Sequence, residues 1–254
     1  MEFIDINAML GTWTYKPMYM QEAAQLKQEM DRLGIAQAYV FDSKAWKSEF
    51  SVGNKATLDA VKGDDRLIPT MVLTPLLKQE FGGRDAVLET ICKNRIGAVR
   101  LFPQSHSYTL HPWNVETLFE LMNELRMPVL INPPDDNAGM EILLAQVYEL
   151  CVAFPQTPVV LLSAGYRYSR MIYALWEQVS NFYVDTSLFI AYHGIEDAVK
   201  YFGSQNILFG TRFPLMEPGT YVGRILYSDL AAPDMENIAG GNIRRLRAGI
   251  KYPF

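Results

Sequence analysis

The run Pro158-Val159-Val160-Leu161-Leu162 is apolar at every position. A strand of a parallel sheet has this composition when helices cover both faces of the sheet, because neither face of the strand meets water. Similar runs recur about every 25 to 35 residues, the length of one strand, its crossover helix and the return. They lie at residues 3–7, 36–41, 67–73, 96–102, 127–132, 157–162, 182–187 and 206–211.

Amphipathic stretches separate these runs, with apolar residues returning every three or four positions. They include residues 20–33, 84–93, 114–125, 140–154 and 167–179. Eight alternating units predict a closed barrel, whereas a doubly wound sheet usually has fewer units and a glycine-rich phosphate-binding turn after its first strand. That turn is missing here. We therefore predict an α/β protein, a (β/α)₈ TIM barrel that forms a single domain over residues 1–254.

Composition narrows the classes of partner. A net charge of -5 without a basic run argues against binding to nucleic acid or to an anionic membrane surface. Small molecules and proteins remain as possible partners. Cys92 and Cys151 lie apart in apolar helical patterns and indicate buried thiols in a reducing compartment. The chain opens without a basic region followed by an apolar stretch. We expect a cytoplasmic protein, and we leave open a homo-oligomer.

The reactive groups of an α/β barrel lie at the C-terminal ends of its strands. The polar and sulfur-bearing side chains at those ends are Asn7, Met9, Asp42, Ser43, Thr74, Arg100, Asn132, Asp135, Asp136, Ser163, Asp185, Ser187 and Arg212. Few of them titrate near neutral pH. The three histidines, His106, His111 and His193, lie beyond strand ends, in loops or helix starts.

The first and last strands carry a recognisable pattern. The run IDINAMLG at residues 4–11 resembles the opening IDxHxHxG of the amidohydrolase-related family, with Asn7 and Met9 where that family has histidines. The run ILFGTRFP at residues 207–214 resembles the family's LFGTDFP, with Arg212 in place of the aspartate.

The strands between them fit the same order. The segments ending at Asn132 and Ser163 resemble the family's fifth and sixth strands, which end in histidine. Residues 97–103 resemble its fourth strand, 182–187 its seventh, and 242–246 its closing NxxRL helix. The resemblance therefore covers residues 4–247 and implies the same barrel and, by family, a hydrolase.

In that family the histidines and the aspartate hold a divalent ion that activates water. The residues that replace them here, Asn7, Met9, Asn132, Ser163 and Arg212, offer no imidazole and no carboxylate. A guanidinium about 4 Å from a divalent ion is repelled by roughly 8 kcal/mol at an effective dielectric of about 20. We predict no metal and no other cofactor. Metal-free relatives resembling lactonases use the last aspartate as a base, a role that Arg212 cannot take.

Two arginines at strand ends suggest the ligand. Arg100 and Arg212 each carry a planar fork of donors that suits a carboxylate or phosphate. We predict a pocket for a small anionic ligand, lined also by Asn7, Asn132 and Ser163. In the alternative interpretation, a nearby aspartate neutralises each arginine in a buried network, since buried charges are usually paired.

The candidate acids and bases are Asp185, His106 and Asp42. His106 and His111 have the alternative interpretation of surface or loop-tethering residues. Asp135 and Asp136 form either a carboxylate pair or the start of a helix. Ser163 lacks the surroundings of a serine nucleophile. The aromatic residues Trp13, Tyr15, Tyr19 and Trp46 line a pocket, a subunit contact or the core.

Three functions remain open. The leading prediction is an amidohydrolase-related hydrolase with a degenerate metal site, which binds a small anionic or carbonyl-bearing ligand at the mouth of the barrel. A second is a metal-independent lactonase or decarboxylase that acts on a carboxylated compound. The third is a noncatalytic ligand-binding protein or scaffold, a pseudoenzyme.

Overall fold

The computed structural model describes residues 1–13, 22–134 and 138–253, and within them eight parallel strands form one sheet in sequence order. The strands are β1 (Phe3–Leu10), β2 (Ile35–Asp42), β3 (Leu67–Val72), β4 (Ala98–Leu101), β5 (Val129–Ile131), β6 (Val159–Leu161), β7 (Phe182–Asp185) and β8 (Ile207–Leu208). Each predicted apolar run overlaps one of them, and β1 and β2 extend beyond the runs at residues 3–7 and 36–41. The predicted single-domain TIM barrel is confirmed as the fold class.

Hydrogen bonds between the first and last strands complete the barrel. The backbone amide of Ile6 donates to the carbonyl of Phe209 at 3.0 Å, and that of Met9 donates to Phe213 at 2.8 Å. The side chain of Asp5 adds hydrogen bonds from Thr211 across the same seam. The seam between β1 and β8 therefore joins parts of the chain that are about two hundred residues apart in sequence.

Twelve α-helices surround the barrel in the described part of the chain. They are α1 (Ala23–Leu33), α2 (Lys44–Lys47), α3 (Phe50–Val61), α4 (Leu77–Phe81), α5 (Arg84–Lys93), α6 (Pro112–Leu125), α7 (Met140–Ala153), α8 (Ser169–Gln178), α9 (Gly194–Phe202), α10 (Pro218–Leu226), α11 (Ala232–Glu236) and α12 (Asn242–Ala248). A 3₁₀ turn precedes α8 at Tyr166–Tyr168, and a π-helical turn leads into α12 at Asn237–Gly241. None of the described helices has the length and apolar character that crossing a membrane requires.

Helix α3 shows why the periodicity of apolar residues missed some helices. Its fully buried residues are Gly53 and Thr57, not large apolar side chains. A Cβ on Gly53 would lie 2.0 Å from the backbone nitrogen of Ala45, so this helix packs by close backbone approach. A pattern of large apolar residues cannot reveal such a contact surface.

The core has two main layers. Alternate strand residues point into the barrel, where Ile6, Tyr39, Leu130 and others form an interior cluster, while the opposite faces pack against the helices. Ile243 and Leu246 of α12 belong to the interior cluster, beside Ile4 at the start of β1. Helix α12 therefore closes the N-terminal end of the barrel, which leaves the C-terminal ends of the strands as the face where α/β barrels carry their functional sites.

Candidate functional site

Arg100 lies at the centre of a buried polar network where β4 ends. Its side chain is held by two amides: Nη2 donates to Oδ1 of Asn7 at 2.7 Å, and Nε donates to Oδ1 of Asn132 at 2.8 Å. Only 2% of the residue is exposed, and its Nη1 has no hydrogen-bond partner among the described residues. Burial lowers the pKa of Arg100 to about 9, so the guanidinium keeps its proton at neutral pH.

Asn7 connects this arginine to Asp185. While its Oδ1 accepts from Arg100, its Nδ2 donates to Oδ2 of Asp185 at 2.8 Å. Asp185 is completely buried and also accepts hydrogen bonds from the Ser163 amide at 2.6 Å and the Ser187 hydroxyl at 2.8 Å. Burial raises the pKa of Asp185 against these hydrogen bonds. The alternative interpretation, a buried network around the arginine, therefore describes Arg100, with Asn7 standing between the two charges.

A second buried carboxylate, Asp5, lies below this network. It accepts hydrogen bonds from the backbone amides of Asn7 at 2.9 Å and Thr211 at 3.0 Å, and from the Thr211 hydroxyl. Burial raises its pKa from 3.8 to about 6. Asp5 therefore fixes the backbone that presents Asn7 from one side of the seam and Arg212 from the other.

Arg212 follows Thr211 with a backbone φ of 59°, in the left-handed region that non-glycine residues seldom adopt. Ser163, at the end of β6, shares this conformation with a φ of 51°. The side chain of Arg212 is half-buried, and no described carboxylate lies within ion-pairing distance of it. Residues held in this region at strand ends cost about 1–3 kcal/mol each and cluster at functional sites.

Arg100 and Arg212 meet at one small cavity at the mouth of the barrel. The cavity has a volume of about 10 Å³, which is near the minimum for a single water. Its lining consists of Asn7, Met9, Phe41, Trp46, Arg100, Asn132, Arg212, Phe213 and Leu215. Four of the five predicted ligand-binding residues therefore line one cavity. The fifth, Ser163, lies behind Asn7, whose Nδ2 donates to its hydroxyl at 3.2 Å.

Aromatic rings form one side of the cavity. The ring of Phe41 lies 4.0 Å from the central carbon of the Arg100 guanidinium, a cation–π contact. The ring of Trp46 stacks on Phe102 with centroids 4.9 Å apart, and Trp13 packs against Trp46 at 4.7 Å. Trp46 therefore lies in the pocket, while Tyr15 and Tyr19 fall outside the described residues.

The structure does not bring His106 or Asp42 to this cavity. Nε2 of His106 lies 3.2 Å from the carbonyl of Trp46, and burial lowers the pKa of His106. Asp42 accepts a hydrogen bond from the Lys44 amide at 2.9 Å, which places its carboxylate at the start of α2. Both residues thus contact α2, the short helix that carries Trp46. Neither residue lines the cavity. Their catalytic roles therefore stay predictions.

The remaining candidates lie elsewhere. Nδ1 of His111 is 2.9 Å from a carboxylate oxygen of Glu149, and His193 precedes α9, as its position in the sequence indicated. Asp135 and Asp136 fall outside the described residues.

Sequence reasoning missed Asp5, Thr211 and Gly210 as parts of the site. Asp5 lies inside the quoted IDxHxHxG pattern, and Thr211 and Gly210 lie inside FGTRFP, so the signal was present in the motifs themselves. A Cβ on Gly210 would lie 2.5 Å from Oδ2 of Asp185, so only glycine leaves room for this carboxylate.

The donor set does not fit a divalent ion. At the motif positions, Asn7 and Asn132 provide amide oxygens that already accept from Arg100, Met9 provides a thioether, and Arg212 provides a cation. Among residues 1–13, 22–134 and 138–253 no three histidine, cysteine, aspartate or glutamate side chains gather in a way that could hold a metal.

The sequence matches the family model described as amidohydrolase over residues 9–246, and the chain therefore belongs to this family. No curated protein matches it.

Solved structures extend the comparison. An uncharacterised TIM-barrel protein from Bordetella bronchiseptica is 17% identical, with a TM-score of 0.77 over 98% of this chain and 99% of the other. A 2,6-dihydroxybenzoate decarboxylase from Rhizobium is 13% identical, with a TM-score of 0.76 over 97% and 98%. A 5-carboxyvanillate decarboxylase from Novosphingobium aromaticivorans, complexed with manganese, is 12% identical, with a TM-score of 0.79 over 97% and 96%. At these identities the similarity establishes the fold.

Proposed function

We propose that this chain binds a small carboxylate or carbonyl-bearing compound in the cavity between Arg212 and Arg100. The observation that carries the proposal is the side chain of Arg212, which is half-buried at the cavity and has no carboxylate partner in the described part of the chain. A guanidinium that is partly removed from water and has no counter-ion is destabilising, and an anionic ligand offsets this effect.

The polarity of the cavity supports an acceptor-rich ligand. Arg212 offers its donors, Nη1 of Arg100 is unpaired, and Asn132 directs its oxygen to Arg100, which leaves its amide NH₂ as a donor. Both polar ends of Asn7 are used within the network. The free polar side-chain groups of the lining are thus donors, which a carboxylate or carbonyl complements. Because the cavity holds little more than a water, ligand entry must displace lining side chains.

Thermal unfolding with a series of small ligands tests the proposal. We expect benzoate and propionate to stabilise the protein, and the uncharged benzamide and propionamide to have weaker effects. A ligand at one hundred times its Kd adds about 2.7 kcal/mol. Arg212→Ala should lose this response, whereas Arg170→Ala, an exposed position on α8, should keep it. Carboxylate stabilisation that survives unchanged in Arg212→Ala would contradict the proposal.

Of the three predicted functions, the residues that line the cavity favour the noncatalytic ligand-binding protein. None of the described side chains that line the cavity is an acid or base that titrates near neutral pH, which general acid–base hydrolysis requires. Asp185, the best-placed carboxylate, is separated from the cavity by Asn7. A noncatalytic ligand-binding protein therefore suits the geometry better than a hydrolase or lactonase.

Decarboxylation is the second candidate, because two of the similar structures are decarboxylases of carboxylated aromatic compounds. In such a reaction the bond between the ring and the carboxylate breaks, the carboxylate leaves as CO₂, and the ring carbon that carried it takes up a proton. CO₂ release from hydroxybenzoates that stops in Asp185→Asn, in a variant that still binds carboxylates, would favour the enzyme. The same assay without release supports the binding protein.

A further inference from the structure

We propose that the guanidinium of Arg100 is a built-in cation that takes the place of the divalent ion implied by the family pattern. This inference concerns the free protein and does not depend on the carboxylate proposal. The motif positions that do not fit a metal hold this guanidinium instead.

Two motif positions converge on one arginine. Asn7 within β1 and Asn132 after β5 stand where the family pattern has histidines, and the side-chain oxygen of each accepts from Arg100, at 2.7 and 2.8 Å. These oxygens approach the guanidinium from two strands, as ligands approach an ion. An amide oxygen is a poor substitute for an imidazole at a metal, but it is a good acceptor for a guanidinium.

The further groups around Arg100 also suit a cation. The Phe41 ring lies 4.0 Å from the guanidinium carbon. Asp185 is linked to Arg100 through Asn7, and no described carboxylate forms a direct ion pair with Arg100. The guanidinium thus reaches the carboxylate of Asp185 through Asn7 and not by direct contact. One of its donors, Nη1, remains unpaired among the described residues.

A cation supplied by the chain has a chemical consequence. It is present without any supply of metal, resists chelators, and excludes a divalent ion by charge repulsion. Its free donor can polarise a ligand oxygen, one of the tasks that a metal performs as a Lewis acid.

Two variants of Arg100 separate a charge role from a packing role. Arg100→Met fills a similar volume without charge, and Arg100→Lys retains the charge with fewer directed donors. If the site requires a cation, Arg100→Met should unfold on the order of 10 °C below the unaltered protein, and Arg100→Lys should unfold at a higher temperature than Arg100→Met. If Arg100 only fills space, Arg100→Met should be the more stable variant, because it avoids burying a charge. That second order overturns the proposal.

Arg245 provides the matched control, because its Nη1 also donates to an asparagine oxygen, Asn242 Oδ1 at 3.0 Å, while the residue itself is exposed. Arg245→Met and Arg245→Lys should unfold at nearly the same temperature. A difference between them as large as that between the Arg100 variants would show that any arginine gives this result and would overturn the proposal.

Chemical rescue and metal analysis complete the test. Millimolar guanidinium chloride should raise the unfolding temperature of Arg100→Ala, an effect that equal sodium chloride should not reproduce; equal effects of the two salts count against the proposal. The metal measurement needs only the unaltered protein, so it stands even where a variant fails to fold. After incubation with Mn²⁺ or Zn²⁺ and desalting, we expect far less than one ion per chain. Stoichiometric metal overturns the proposal.

Discussion

The carboxylate of Asp5 lies inside the barrel wall, where it accepts hydrogen bonds from both strands of the seam. Its pKa in the folded protein is about 6, above the value of 3.8 of the free side chain, because burial disfavours the charged form. In the unfolded chain the group therefore loses its proton at lower pH. The stability that protonated Asp5 contributes is complete below about pH 3.8 and is lost as the pH rises through about 6.

We expect Asp5→Asn to remove this pH dependence. Asparagine can keep an acceptor toward the two backbone amides while carrying no charge. Between pH 3.8 and about 6, the unaltered protein should lose roughly 3 kcal/mol of stability relative to the variant. Urea unfolding across this range measures the difference, and parallel curves for the two proteins would contradict the assignment.

Gly210 is a second residue whose identity the site requires. A Cβ here would meet Oδ2 of Asp185 at 2.5 Å, so we expect Gly210→Ala to cost about 1–3 kcal/mol and to displace that carboxylate. Gly223→Ala in α10 is the control, because its Cβ would meet only Tyr227, at 3.9 Å, and alanine favours a helix by about 0.8–1.0 kcal/mol. Denaturant unfolding should give opposite signs for the two variants. Equal stability of Gly210→Ala and the unaltered protein would contradict this reading.

At the scale of single residues, the sequence predicted the side chains that line the cavity better than the side chains that position them. Arg100, Asn132 and Arg212 lie near or beyond the C-terminal ends of their strands, which can be read directly from the chain, whereas Asn7 lies within β1, a strand that runs three residues past the predicted run. The contact between Asp5 and Thr211 could not be read in this way, because closure of the barrel alone brings them together.

At the scale of helices and strands, α6 offers a direct test of packing. Leu118 is completely buried on its inner face, and we expect Leu118→Ala to cost about 2–5 kcal/mol through lost apolar burial and the cavity it leaves. Leu226 at the end of α10 is 48% exposed, and Leu226→Ala should change stability by no more than about 0.5 kcal/mol. Urea unfolding compares the two, and similar losses would contradict the assigned faces.

Elements with strong apolar periodicity were predictable, and those that pack by other means were not. Helices α5, α6 and α7 were predicted to within two residues at each end. Helix α3 packs through Gly53 and Thr57, and β8 contains only two residues with regular strand pairing, so neither boundary follows from an apolar pattern.

At the scale of the whole molecule, residues 251 and 252 pack against the outside of the barrel and hydrogen-bond to two separate elements. The Lys251 amide donates to the carbonyl of Leu125 at 2.8 Å, and the hydroxyl of Tyr252 donates to that of Ile96 at 2.8 Å. The guanidinium of Arg95 lies 4.1 Å from the Tyr252 ring. The last residues therefore join the end of α6 to the segment that enters β4.

Removing the hydroxyl alone tests this attachment. Tyr252→Phe keeps the ring, and we expect it to cost about 0.5–1.5 kcal/mol, the net contribution of one hydrogen bond. Tyr227→Phe removes the same atom from a residue that is 90% exposed and should leave stability unchanged. Thermal unfolding of both variants measures the difference; no loss in Tyr252→Phe would assign the attachment to the ring and backbone alone.

The seam between β1 and β8 also governs when this protein can finish folding as it is made. The backbone amide of Ile6 pairs with the carbonyl of Phe209, so this edge of β1 has no hydrogen-bond partner until Phe209 has left the ribosome. At about 5–20 residues per second, translation of the intervening chain takes roughly 10–40 s. During that interval the nascent chain presents an unpaired strand edge, the kind of surface on which aggregation begins and that chaperones must cover.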